Sequence, residues 1–423
     1  MRKIWLILLI FILTGCENPI EKTIIEPFKY KSILSIVNND LYAEIEEYTI
    51  YGKYFNLKGN INYIDDFSQF DLVLKNKEEE LVYKLFYEIN NNKIFFKTSE
   101  YINEGINLEK INVSNYVILL RIIKDGKINY YNLINKSDYS YVDYYTITKN
   151  NKNNYINITF SSYQNNSFFK MEMKENVRKK NICDIVIDPG HGGGDSGATN
   201  DNYLEKDFNL EYANMLKVVL EELGLKVKMT RYSDMLPSFY GSNSRTGIPY
   251  ECKAKLMLSI HLNSSNSYIG DGGFELYMAN GSSSKYPKIM ALNIVNYANT
   301  NYSPNNYNKV DDGVYIRTYS EKDIEGVLND SIKGNWTMYE NLNTDTTYYY
   351  FIRETGGIVT NAITDGRNKE YPGNPYYNSN HGTEAYLLEL GYISSAKNLE
   401  KLINEKEGYI KGIVEGIKFY INN

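Results

Sequence analysis

A buried-type strand, Ile182 to Asp188, opens into the glycine-rich turn Pro189-Gly190-His191-Gly192-Gly193-Gly194-Asp195-Ser196-Gly197. A segment with apolar residues at helical spacing follows from Leu204 to Leu223 and stops at Gly224, a good C-cap. The same alternation continues to the C-terminus. Leu225–Thr230, Lys255–Asn263, Gly273–Met278 and Glu384–Leu390 read as strands, and Tyr286–Asn299, Asn398–Leu402 and Ile410–Tyr420 read as helices. Strands alternating with helices predict an α/β domain over 182–423, a mixed, mostly parallel sheet with helices on both faces. Ligands of such sheets bind beyond the strand ends.

The N-terminal half has a different rhythm. Residues 31–170 hold short runs of β-formers such as Phe70 to Leu74, Lys93 to Lys97 and Tyr116 to Ile122, separated by turn clusters at roughly ten-residue spacing. The Asp125-Gly126 pair between Tyr116–Ile123 and Ile128–Leu133 predicts a hairpin. An all-β sandwich-like accessory domain is expected there. It carries no catalytic cluster and reads as an accessory or spacer module, with sugar binding through exposed tyrosines, whose rings can stack on sugars, as the alternative. Residues 171–181 are charged and are taken as the linker.

The start of the chain is an address. Met1-Arg2-Lys3 is basic and Ile4 to Leu13 is apolar but too short to span a bilayer. Leu13-Thr14-Gly15-Cys16 resembles the lipobox of bacterial lipoproteins. That resemblance implies a signal peptide over 1–15, lipidation of Cys16 as the mature N-terminus, a tether over 16–30, and export to a membrane surface with the folded part outside the cytoplasm. With three cysteines, the chain is neither a disulfide scaffold nor a Cys-based zinc finger. Cys183 and Cys252 could pair, though sequence gives no geometry, and both are expected as buried small apolar residues. A net charge of −6 and the lack of a basic tract argue against nucleic acid as a partner.

Chemistry concentrates on a few side chains. The chain has three histidines, and His191 and His261 fall near predicted strand ends. In Leu258-Ser259-Ile260-His261-Leu262-Asn263, alternation puts Ser259, His261 and Asn263 on one face. Glu205 opens the helix, where Asn202-Tyr203-Leu204-Glu205 also matches a capping box. Glu389 ends an otherwise apolar strand, where an unpaired carboxylate is costly to bury. Two imidazoles and two carboxylates suit a hydrolytic zinc site with three protein ligands, an open position for water and a carboxylate base. The glycine turn lacks the Gly-Lys-Ser/Thr of a phosphate loop. His381 permits another set, three histidines with Glu205 as the base; otherwise it lines the cleft or is exposed.

The segments IVIDPGHGGGDSGA, LEKDFNLEYANMLKVVLEELG, LSIHLNSS and LLELGYIS resemble, in order, the motifs of the zinc-dependent N-acetylmuramoyl-L-alanine amidases of type 3. The resemblance covers about 182–265 and 384–420. It implies a Zn2+ cofactor bound by His191, Glu205 and His261, Glu389 as the catalytic carboxylate, and peptidoglycan as the substrate. Arg231 and Asp234 match a further Arg and Asp of the family. Pro249-Tyr250 and Lys255 depart from its pattern at positions that do not bind zinc. So does a long insertion over 301–383, expected to form substrate-shaping loops, with Arg353 and Glu354, beside Asn263, as substrate contacts. Another zinc-dependent wall peptidase and a noncatalytic wall-binding protein are the competing readings.

Overall fold

The computed structural model describes residues 28–163, 166–178, 180–239, 241–266, 272–334, 342–355 and 381–423. Cys16 and the leader therefore lie outside the described residues, as do Gly356 and Gly357 of the insertion.

Twelve strands between Val37 and Val177 join with His381–Gly382 in one thirteen-stranded sheet. The hairpin at Asp125-Gly126 forms as expected: Lys124 pairs with Lys127, and both turn residues have positive φ. The sandwich of separate sheets does not. Tyr116–Lys124 pairs with Phe67–Lys75 on one edge, and with both Asn166–Val177 and Lys127–Asn135 on the other, so the sheet branches and encloses its core.

The linker is also shorter than 171–181. Strand Asn166–Val177 runs through most of it, with Met171 opposite Tyr116. Met171 and Met173 pack into the core, and the charges at Glu172, Lys174 and Glu175 hide this alternation in the sequence. The tether ends early as well: helix Phe28–Leu34 buries Tyr30 and Ile33 against Val73, Val117 and Leu119.

In the C-terminal half, Val227–Met229, Ile185–Pro189, Leu256–Asn263 and Glu384–Tyr392 are adjacent in that order and parallel. Glu275–Tyr277 then joins antiparallel to Glu384–Tyr392. The insertion is partly regular: Val314–Tyr315 and Lys309–Asp311 extend this sheet, and helices Glu321–Gly334 and Tyr350–Thr355 follow.

Alternation divides the strands between two cores. Ile185, Ile187, Leu256, Leu258, Ile260, Leu388 and Leu390 face helices Glu205–Glu222, Pro287–Tyr297 and Lys406–Asn422. Gly412 lets the last two helices meet; a Cβ there would come 2.4 Å from Ile294 Cα. On the other face, Val186, Met257, Ala385 and Leu387 pack under Phe351 and Ile352.

Cys183 and Cys252 are buried, as expected, but they are bonded to each other, with Cα atoms 5.2 Å apart. The bond joins the roots of the strands that lead to His191 and His261. The two halves of the molecule share packing and hydrogen bonds. Tyr54 and Ile147 enter the C-terminal core, buried Lys53 donates to the Tyr420 carbonyl, and Asn103 Nδ2 donates to Glu384 Oε1 at 3.1 Å.

Candidate metal centre

His191, Glu205 and His261 each bring one ligand atom to a common point, all three within 4.8 Å of one another. Glu205 is the hub. Its Oε1 lies 3.1 Å from His191 Nε2 and 2.9 Å from His261 Nδ1, and the two rings meet edge to face at 4.9 Å.

Local structure explains the convergence. His191 has φ of 61°, a left-handed conformation rare for a side chain of its size and common at strained functional turns. Glycines give the rings room. A Cβ on Gly190 would stand 2.2 Å from His261 Cε1, and one on Gly197 would stand 2.5 Å from Glu205 Oε2. Arg231, fully buried, donates to the carbonyls of Pro189, Gly190 and Lys206, and Asp234 accepts from the Gly193 amide at 2.7 Å. The Arg and Asp after the second strand thus hold the glycine turn in shape.

Glu205 is the first residue of its helix, but the capping box does not form. Leu204 is the N-cap, and no side chain caps the helix. Glu205 instead turns toward the histidines and accepts from the Ala198 amide at 2.8 Å and the Leu262 amide at 3.0 Å. Burial opposes its charge, yet contacts with His191 and His261 win and hold it well below the usual carboxylate range. Burial likewise pulls the His191 imidazole down, but Glu205 and Asp195 outweigh it and keep the ring above its ordinary value.

Glu389 stands directly across from His261 on the neighbouring strand, which puts both on the same face. Its Oε2 is buried and has no hydrogen-bond partner among the described residues. Burial, then the charges of Glu205 and Glu275, push its proton affinity well up.

These features fit a divalent cation. Two imidazoles and a carboxylate form a zinc-type donor set, and the glycines leave a cradle that any Cβ would fill. His191 Nδ1 is held by Asp195 Oδ2 at 2.8 Å, which turns Nε2 toward the site, as outer partners of metal-binding histidines commonly do.

His381 belongs to none of this. It is buried at the opposite end of the Glu389 strand, paired with Ile50, so it neither lines the cleft nor is exposed, and the three-histidine set is excluded. Arg353 and Glu354 are not exposed loop contacts: both are buried, Arg353 donates to the Thr347 and Tyr348 carbonyls, and their helix packs Phe351 and Ile352 against the sheet. Asn263 does sit at the strand end, half-buried, donating to Glu275 Oε2 at 3.1 Å.

Several supporting residues escaped the sequence reading. Asp195, four residues after His191, carried a positional hint within its turn. Asn209, one helical turn from Glu205, donates to Glu205 Oε1 at 3.4 Å and to the Gly190 carbonyl. Asp188, Ser259, Thr230 and Arg245 form a buried network beneath the centre, and nothing in the sequence singled out Arg245.

Known proteins resemble parts of this chain. Over 96 residues the chain is 41% identical to a sporulation-specific N-acetylmuramoyl-L-alanine amidase of Bacillus subtilis, which is 22% of this chain and 35% of that protein. Over 102 residues it is 41% identical to a probable cell wall amidase, LytH, of Staphylococcus aureus, 22% of this chain and 32% of that one. The matches thus span about a third of the length of these relatives. Among solved structures, the catalytic domain of CwlV, an N-acetylmuramoyl-L-alanine amidase from Bacillus (Paenibacillus) polymyxa, aligns at 24% identity and a TM-score of 0.37, covering 57% of this chain and 99% of that one. A family model described as N-acetylmuramoyl-L-alanine amidase matches residues 185–419, more than half of the sequence, and the chain belongs to that family.

Proposed function

We propose that the chain hydrolyses the amide bond between N-acetylmuramic acid and L-alanine in peptidoglycan, with zinc held by His191, Glu205 and His261. The observation that carries this is the three-donor cluster beside Glu389 on the adjoining strand, whose buried Oε2 has no hydrogen-bond partner among the described residues. Zinc bound there supplies a Lewis acid for the scissile carbonyl and acidifies water.

The remaining work falls to the chain's own groups. Asp195 and the glycine turn orient His191, while Glu205 is fixed by two backbone amides. Glu389 takes the proton of the attacking water and passes it to the departing L-alanine nitrogen. Asn263, at the strand end, is the proposed substrate contact.

Export and anchoring through Cys16 complete the reading. The Cys183–Cys252 bond supports it, because disulfides persist outside reducing cytoplasm. Among the described residues no helix is long and apolar enough to cross a membrane. Metal analysis of the purified chain, with wall hydrolysis followed by release of L-alanine amines, tests the function. Retained activity after complete chelation argues against it.

A further inference from the structure

The outer face of the N-terminal sheet carries a trough that the metal centre does not use. Strand register fixes its floor. Glu47, Lys58, Lys97 and Phe86 lie side by side on four neighbouring strands, and Asn60, Phe95 and Glu88 form the next row. Leu57 and Phe96, one residue out of phase, face the buried core, so these rows face outward.

One end of the trough encloses about 380 Å³ and is flanked by Phe86, Tyr87 and Phe95. The other encloses about 510 Å³ and is lined by Asn56, Thr98 and Tyr101, with Asn280 and Thr346 from the C-terminal half. Lys58, Lys97 and Glu100 border both, so the two depressions are continuous.

Its chemistry is mixed in a specific way. Phe86 and Tyr101 are each 45% exposed, leaving aromatic faces in water at either end. Amides and hydroxyls collect at the domain junction. Lys58 is paired with Glu47 at 2.9 Å, but Lys97 makes no ion pair among the described residues and lies beside a second cation. Aromatic rings receive apolar faces, amides both donate and accept, and a free ammonium receives carboxylate. A polymer with flat apolar ring faces, hydroxyls, N-acetyl amides and occasional carboxylates satisfies all three.

We infer that this trough binds a strand of N-acetylated polysaccharide, a glycan-holding site separate from the metal centre. The choice of ligand rests on the wall-amidase reading. The chain runs from Glu275, beside Glu389, to Asn280 at the trough, a reach of no more than about 18 Å, so one polymer can serve both places. A protein strand added to the free edge Phe86–Asn90 would use backbone groups and leave Tyr101 and Asn280 idle.

Calorimetric titration of full-length Glu389→Gln protein with a hexamer of N-acetylglucosamine, and with peptide-free wall glycan, tests the site. Binding is expected, weakened about tenfold or more by Phe86→Ala or Tyr101→Ala. Both side chains are exposed, and circular dichroism checks that each variant is folded. No binding of either glycan, or equal binding by the double variant Phe86→Ala/Tyr101→Ala, overturns the inference. Because the readout needs no hydrolysis, its failure is distinct from failure of the amidase reading, which product analysis tests.

Discussion

Glu275 and Glu389 face each other across adjacent antiparallel strands, and they are treated oppositely by their surroundings. Glu275 is fully buried with both oxygens filled, by Tyr392 at 2.7 Å, Tyr277 at 2.6 Å and Asn263 at 3.1 Å. Glu389 has a buried oxygen with no such donor among the described residues. One carboxylate is held by its donors, and the other keeps a buried oxygen without one among the described residues.

Glu389→Gln is therefore expected to keep zinc and the fold while hydrolysis drops by about 10²–10⁴-fold. Metal content and wall turnover measured on the same preparation check this. Turnover near that of the unaltered protein would remove Glu389 from its role.

The proposed zinc centre should also depend on residues outside its three ligands. Asp195→Ala frees His191 Nδ1 and should weaken zinc binding by about 10–100-fold. Gly190→Ala drives a methyl into the His261 ring and should have the same sign. Competition with a chelating dye measures both; unchanged affinity in either variant contradicts the cradle.

Beneath the centre, Arg245 holds Asp188 through Nε at 2.8 Å, with Ser259 and Thr230 adding hydroxyl donors. Burial opposes the Asp188 charge, but Arg245 wins and brings its pKa down to about 2. Its folded value is depressed, so its stabilisation is complete above the ordinary carboxyl range of about 4 and is lost as pH falls through about 2. Arg245→Met leaves the buried carboxylate unpaired and should cost about 3–5 kcal/mol near neutral pH. Denaturant unfolding at several pH values checks both the size and the direction.

The disulfide closes a span of 69 residues. Replacing Cys183 and Cys252 by Ala should lower stability by about 4 kcal/mol on the chain-entropy model. Unfolding of the double variant beside the oxidised parent measures it, and an equal midpoint would mean the bond contributes nothing.

Local pattern explains what the sequence revealed and what it hid. His191, Glu205, His261 and Glu389 were legible because each sits at an element end with motif residues around it. The face shared by Ser259 and His261 followed from period-two alternation alone. The role of Glu205 against its capping alternative did not, since both begin at the same helical position and only tertiary contacts choose between them. Charges at Glu172, Lys174 and Glu175 disguise a strand as a linker. Arg353, Glu354 and His381 looked functional because polar residues in long insertions usually face solvent, yet here they are covered by packing between elements far apart in the chain. Branching of the N-terminal sheet, and the entry of Tyr54 into the other core, arise from long-range pairing that no local window contains.

The most direct test of the whole account is mass spectrometry of purified cell wall digested by the full-length chain, with and without a chelator. The account predicts new L-alanine amino termini on peptides released from intact glycan, absent with chelator and restored by added zinc. Cleavage at any other bond, or release of L-alanine amines that persists after zinc is removed, would contradict it.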